Sequence, residues 1–182
     1  MKYSDRDWEN RNKIMTQHGP HWLSVPVHQE SSDQLILNSH ISEHEKKWPK
    51  KHKRTIQMNS FGTPCFEEVF PLLEELYDRE WERLMDINLY FVDLVCDYLD
   101  IDCRFLKASD LEAEGEGEEL LLWICREREA TESTCPARWD GNYLTPELWE
   151  EAGITLTFHD YDYPEYEQGK ASSSPGSPSW TC

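Results

Sequence analysis

The 182-residue chain predicts an α/β fold in a single domain, with helices packed on a small, mostly parallel or mixed sheet. Three observations predict it. Short β-rich segments alternate with helical stretches through the second half. The clearest helical stretches carry apolar residues at three- and four-residue spacing, as helices do when they cover a core. Hydrophobic residues make up 38% and aromatic residues 12%, with eight Trp and eight Tyr, which suits a packed core rather than disorder.

"WENRNKI" (8–14) is unusual, because two Asn flank Arg11 and Asn competes with the backbone inside regular structure. It reads as a turn or as a set of donors for an anion. "HWLSVPV" (21–27), entered from the turn "HGP", reads as a strand, and "QLILNSHI" (34–41) as its partner. The polar stretch 42–60 predicts a helix starting near Pro49, where a proline in the first turn costs nothing. "PCFEEVFPLLEELYDREW" predicts a second helix, with Pro71 expected to kink or break it. "LMDINLYFVDLVCDYLDI" (84–101) is the clearest helix. "CRFLKAS" (103–109) follows as a strand, then the loop "DLEAEGEGEE" and the helix "ELLLWICRERE". "LTPELWEEAG" predicts a short helix with Pro146 near its start and Gly153 at its end, and "ITLTFHDYDY" (154–163) a last strand.

The chain carries 36 Asp and Glu against 18 Lys and Arg, a net charge of −18. That balance argues against nonspecific nucleic-acid binding, which needs a basic face, and nucleic acid is not an expected partner. No run of about eighteen apolar residues exists, so no membrane span is expected, and "MKYSDRDWEN" is too polar for a signal peptide. Six cysteines without a CxxC pair, two of them in helical patterns, fit a cytoplasmic protein with reduced thiols.

Familiar catalytic motifs are missing: there is no Gly-rich phosphate loop, GxSxG or HExxH. "KKWPKKHKRTIQMN" (46–59) puts His52, Thr55 and Asn59 on one helical face. The functional reading is an anion-binding or acid/base face with His52 as proton carrier; the alternative is a solvated basic helix. His40 and His44 have the i,i+4 spacing of zinc ligands, but no third ligand can be named and no metal is expected.

Taken together, "YSDRDWENRNKI", "WLSVPV", "WPKKHKRTIQMNSFGTPCFEEVFPLLEELY" and "LMDINLYFVDLVCDYLDI" resemble the WbqC-like family in order and spacing. "ASDL…GEELLLWIC" and "YLTPELWEEAGITLTFHDYDYPEYEQ" look like its later blocks, so the resemblance spans about residues 3 to 168. It implies a transferase in bacterial surface-polysaccharide (O-antigen) biosynthesis, with glycine or another small amino-acid or acyl group moved onto a sugar. A sugar or sugar-nucleotide is the implied substrate; no cofactor and no oligomeric state follow. By motif match the resemblance carries over Trp8, Asn10, Arg11, Asn12, His52, Thr55, Asn59 and Glu119, with His52 catalytic and the polar residues binding substrate. Arg11 would then grip a carboxylate or phosphate with its bidentate fork. A structural Arg that ties a loop to the sheet is the alternative. A non-catalytic sugar- or nucleotide-binding protein of the same pathway, or an inactive degraded family member, are the other readings of function.

Several departures from the family pattern define the remaining expectations. Relatives begin with an apolar strand and a His-Gln-Pro, aromatic-rich segment that precedes the position of Met1, so the chain reads as N-terminally truncated. Glu118 stands where relatives carry Thr before the residue matched by Glu119. "ESTCPARWDG" (132–141) and the Ser/Pro-rich "GKASSSPGSPSWTC" (169–182) replace family blocks, and both allow frame-shifted readings closer to the pattern. The expected organisation is a WbqC-like domain over 1–168 and a disordered tail over 169–182.

Overall fold

The computed structural model describes residues 2–4, 8–31, 33–112, 115–136, 144–159 and 162. The expected tail at 169–182, and residues 137–141 of the departure at 132–141, lie outside these residues. Packing falls into two compact units that divide between Asp102 and Cys103. Among the described residues the chain is an α/β protein with five helices and three two-stranded sheets, two antiparallel and one parallel.

The first unit opens with a hairpin. β1 (Arg11–Thr16) runs antiparallel to β2 (Gly19–Ser24) in a register that pairs Arg11 with Ser24 and Thr16 with Gly19. The two-residue turn needs the left-handed backbone of Gly19, at φ 101°, and Thr16 Oγ1 closes it by donating to the Gly19 carbonyl at 2.8 Å. The Asn-Arg-Asn stretch is therefore not a turn: Arg11 and Asn12 start a strand. β3 (Val27–His28) pairs with β4 (His40–Ile41). The expected long partner strand at 34–41 is reduced to this pair, because Ile36–Asn38 form a 3₁₀ turn. Buried Ser39 explains it: its hydroxyl donates to the Leu35 carbonyl and accepts from Gln34, so local bonds replace a ladder.

Three helices complete this unit: α1 (Trp48–Ser60), α2 (Phe66–Asp78) and α3 (Leu84–Tyr98). Pro49 sits in the first turn of α1, as expected. The expected break at Pro71 does not occur; α2 continues through an exposed proline. Phe66, Phe70 and Leu76 are its buried residues, and packing on that face outweighs one missing backbone bond. The core gathers Tyr3, Ile41, Trp48, Leu76, Leu84 and Ile87, with Leu84 wholly enclosed.

The second unit holds α4 (Glu118–Glu127), β5 (Glu132–Pro136), α5 (Pro146–Glu151) and β6 (Thr155–His159). β5 and β6 pair in parallel, Glu132 opposite Thr155. Its core is Leu122, Cys135, Leu144, Trp149 and Ile154. The expected strand at 103–109 is absent; those residues are exposed, and only a 3₁₀ turn forms at Ala108–Asp110. Phe105 and Leu106 remain about half exposed, so no apolar face is buried that would hold a strand in place.

Candidate functional site

Strand alternation decides how the hairpin presents its polar residues. In the β1–β2 register Lys13 faces Trp22 and Arg11 faces Ser24, so these four side chains share one face. Asn12 points to the other face, with Ile14, Leu23 and His21. The strand thus separates Asn12 from Arg11, and the three polar residues are not one cluster. Asn12 Oδ1 accepts from the Lys13 backbone N–H at 2.7 Å, a local bond.

On the Arg11 face the guanidinium carbon lies 4.2 Å from the centre of the Trp22 ring, and Lys13 Nζ lies 4.6 Å from it. Trp8 leans on the same indole with ring centres 5.3 Å apart and an interplanar angle of 53°. Trp8 itself is 56% exposed.

Asn10 precedes the strand and is buried. Its Nδ2 donates to the Val25 carbonyl at 3.0 Å, while its backbone carbonyl accepts from Val25 N–H at 2.7 Å. Asn88 Nδ2 on α3 holds the neighbouring Glu9 carbonyl at 2.9 Å. These bonds fix residues 9 and 10 against the end of β2.

His52 reaches the same strand end from α1. It is 6% exposed and lies edge-on to Trp48 and Tyr77, with ring centres 5.1 and 5.5 Å away. Burial among these rings lowers its pKa to about 4; the backbone of Ser24 pulls it back up, and His21 and Lys51 lower it further. The imidazole is therefore neutral at pH 7. Burial also pushes the Tyr77 phenol up to about 12. His52 Nδ1 is buried with no hydrogen-bond partner among the described residues.

Four buried side-chain atoms have no hydrogen-bond partner among the described residues: Glu9 Oε2, Asn10 Oδ1, Arg11 Nε and His52 Nδ1. Buried polar atoms are nearly always bonded in native proteins, so an unsatisfied one marks a place where a partner belongs. Asn10 and His52 converge on the adjacent residues Ser24 and Val25. Sequence reasoning passed over Glu9, whose exposed-looking neighbourhood gives no periodicity signal.

The other expected residues are placed differently. Thr55 Oγ1 donates to the Lys51 carbonyl at 2.8 Å and Asn59 Nδ2 to the Thr55 carbonyl at 2.7 Å, so both close onto their own helix. They share the His52 face by spacing, but only His52 is buried. Glu119 lies in the second unit, exposed on the first turn of α4. Its neighbour Glu118 makes the bonds: its carboxylate accepts from Thr145 N–H, from Thr145 Oγ1 at 3.1 Å and from buried Trp149 Nε1 at 2.8 Å. Partial burial opposes ionisation of Glu118, but the Thr145 and Trp149 bonds prevail and hold its pKa below the usual value. That network anchors the start of α5. His40 lies 3.7 Å from Glu82, His44 is exposed, and no cluster of three metal-ligating side chains occurs among the described residues.

On this α/β scaffold Arg11, stacked on Trp22, pairs with Ser24 at the end of the hairpin, and the buried His52 meets the backbone of the same Ser24. The chain belongs to the WbqC-like protein family, whose profile matches residues 1–176. It is also similar to the uncharacterized protein Rv1507c of Mycobacterium tuberculosis (strain ATCC 25618 / H37Rv), 32% identical over 178 residues, covering 92% of this chain and 73% of that protein. No solved structure matches the chain. No helix among the described residues is long and apolar enough to cross a membrane.

Proposed function

We propose that this WbqC-like protein is a transferase of surface-polysaccharide assembly that moves glycine, or another small amino-acid or acyl group, onto a sugar. The observation that carries the reading is the set of buried atoms without a hydrogen-bond partner, Glu9 Oε2, Asn10 Oδ1 and His52 Nδ1, at the end of the hairpin. A sugar hydroxyl or amine is the partner they lack. In the proposed step the acceptor O–H or N–H bonds to the lone pair of His52 Nδ1. Its oxygen or nitrogen attacks the activated acyl carbon, the bond to the leaving group breaks, and the proton passes to Nδ1. Arg11 holds the anionic part of the donor. Asn10 orients the acceptor, and Asn12, Thr55, Asn59 and Glu119 are substrate-binding candidates by motif alone.

One observation favours a second reading. A histidine with a pKa near 4 is always unprotonated at neutral pH but is a weak base. A module that binds the sugar without turning it over needs only its acceptor character. Mass spectrometry of protein incubated with an activated acyl donor and a sugar-nucleotide acceptor separates the two. A mass-shifted acceptor supports transfer; thermal stabilisation by the sugar nucleotide with no product over hours supports binding alone.

A further inference from the structure

We infer that the outer stripe of α1 is a membrane-docking surface. It rests on an anionic lipid bilayer through Lys47, Lys50 and Arg54 and inserts Met58 and Phe61 at headgroup depth. The inference goes beyond the transfer reading and shares no residue with it.

Charge is the first observation. From Lys46 to Phe66 the chain carries six Lys or Arg and no Asp or Glu, in a protein with 36 acids and a net charge of −18. Lys53 pairs with Asp78 on α2. Lys46, Lys47, Lys50, Lys51 and Arg54 are exposed and make no ion pair among the described residues. Stability alone does not put them there. Most crowd the N-terminal end of α1, where the helix dipole is positive and favours acids. The first turn of α1 has no acidic residue, and no side chain caps it. The next acids, Glu67 and Glu68, sit in the first turn of α2, where they complement that helix's own dipole.

Spacing is the second observation. Lys47, Lys50, Arg54, Met58 and Phe61 recur every three or four residues, so they share one stripe of the helix and its two caps. Trp48 and His52, the buried residues of α1, lie on another. Met58 is 69% and Phe61 65% exposed, the two most exposed large apolar side chains among the described residues. Phe61 is also braced, because buried Phe66 meets it edge-on with ring centres 5.5 Å apart.

Charge complementarity and the apolar tip together select the occupant. An anionic bilayer offers phosphates to the cations and a soft headgroup layer to a convex aromatic tip. Lys and Arg stems lie along that layer while their charged heads stay at the phosphates. An acidic protein surface would satisfy the cations, but it would leave Met58 and Phe61 in water unless it held an apolar pocket beside them.

The test is co-sedimentation of the full chain with phosphatidylcholine vesicles, with and without about one-third phosphatidylglycerol. The anionic vesicles are expected to bind at least about tenfold more tightly, and about 0.5 M salt to remove most of that difference. Lys47→Gln, Lys50→Gln and Arg54→Gln combined are expected to weaken the binding roughly 100-fold, about fivefold for each cation. Phe61→Ser is expected to weaken it by about fivefold or more and to leave its salt dependence unchanged. Arg126→Gln with Arg128→Gln, at exposed positions at the end of α4, is the control and is expected to change nothing. Unchanged far-ultraviolet circular dichroism checks that the variants are folded. The inference is overturned if anionic vesicles do not bind, if the control pair loses as much as the triple variant, or if Phe61→Ser binds as well as wild type. Polyglutamate bound as tightly as the vesicles, and equally by Phe61→Ser, would assign the stripe to an acidic protein and likewise overturn it. Acyl transfer is read on a soluble acceptor without vesicles, so failure of either reading leaves the other standing.

Discussion

Trp48 lies edge-on to His52 with their ring centres 5.1 Å apart, and Tyr77 meets both rings edge-on. This enclosure keeps the imidazole neutral in the folded state, where its pKa is about 4 against an ordinary 6.5. The unfolded chain therefore binds a proton more readily between those values. Stability is full above pH 6.5 and is lost as pH falls toward 4, by up to about 3 kcal/mol. Glu75 and Glu118 have lowered pKa values, so their contributions disappear only below the ordinary carboxylate range. Thermal melts at pH 7.5 and 5 should show a clear drop, and His52→Phe should flatten it. An equal drop in that variant would show that His52 does not cause it.

Arg11→Lys should weaken binding of an anionic ligand at least tenfold, because Lys cannot reproduce the bidentate fork. The melting temperature should stay within about 2 °C, since the cation over Trp22 is retained. Unfolding of the variant, with ligand affinity intact in what survives, would make Arg11 a structural residue.

In the second unit Glu118 and Glu119 should behave in opposite ways. Glu118→Ala leaves the Trp149 indole N–H, on a side chain 1% exposed, without its acceptor, at a cost of about 1–3 kcal/mol. Glu119→Ala removes an exposed carboxylate and should change stability by less than about 0.5 kcal/mol. Denaturant titration of both variants checks this, and equal effects would refute the assigned tie.

Elements with strong periodicity were legible in the chain itself. α3 and α4 follow their apolar stripes, and the proline-started helices α1 and α5 begin where expected. What failed depended on neighbours. Ser39 and Gln34 bond locally and turn an apolar stretch into a 3₁₀ turn. Asn12 lies in a strand because its register with Leu23 outweighs its intrinsic preference. Residues 103–109 look like a strand but are exposed. Of the site, spacing put His52, Thr55 and Asn59 on one face, yet nothing in that spacing reveals which is enclosed by Trp48 and Tyr77. The open acceptor of Glu9 and the anchoring role of Glu118 were invisible for the same reason: each depends on residues distant in sequence or on burial.

The most direct test of the site is turnover by wild type and His52→Gln, followed by mass spectrometry of the sugar-nucleotide acceptor in the presence of an activated glycyl donor. Gln keeps an acceptor oxygen but cannot take up a proton. Wild type should give an acceptor heavier by one glycyl unit, and the variant a rate at least about 100-fold lower. Product formation at equal rates would remove His52 from the chemistry. Thermal stabilisation of wild type by the sugar nucleotide, with no product from any activated donor, would contradict the transferase itself.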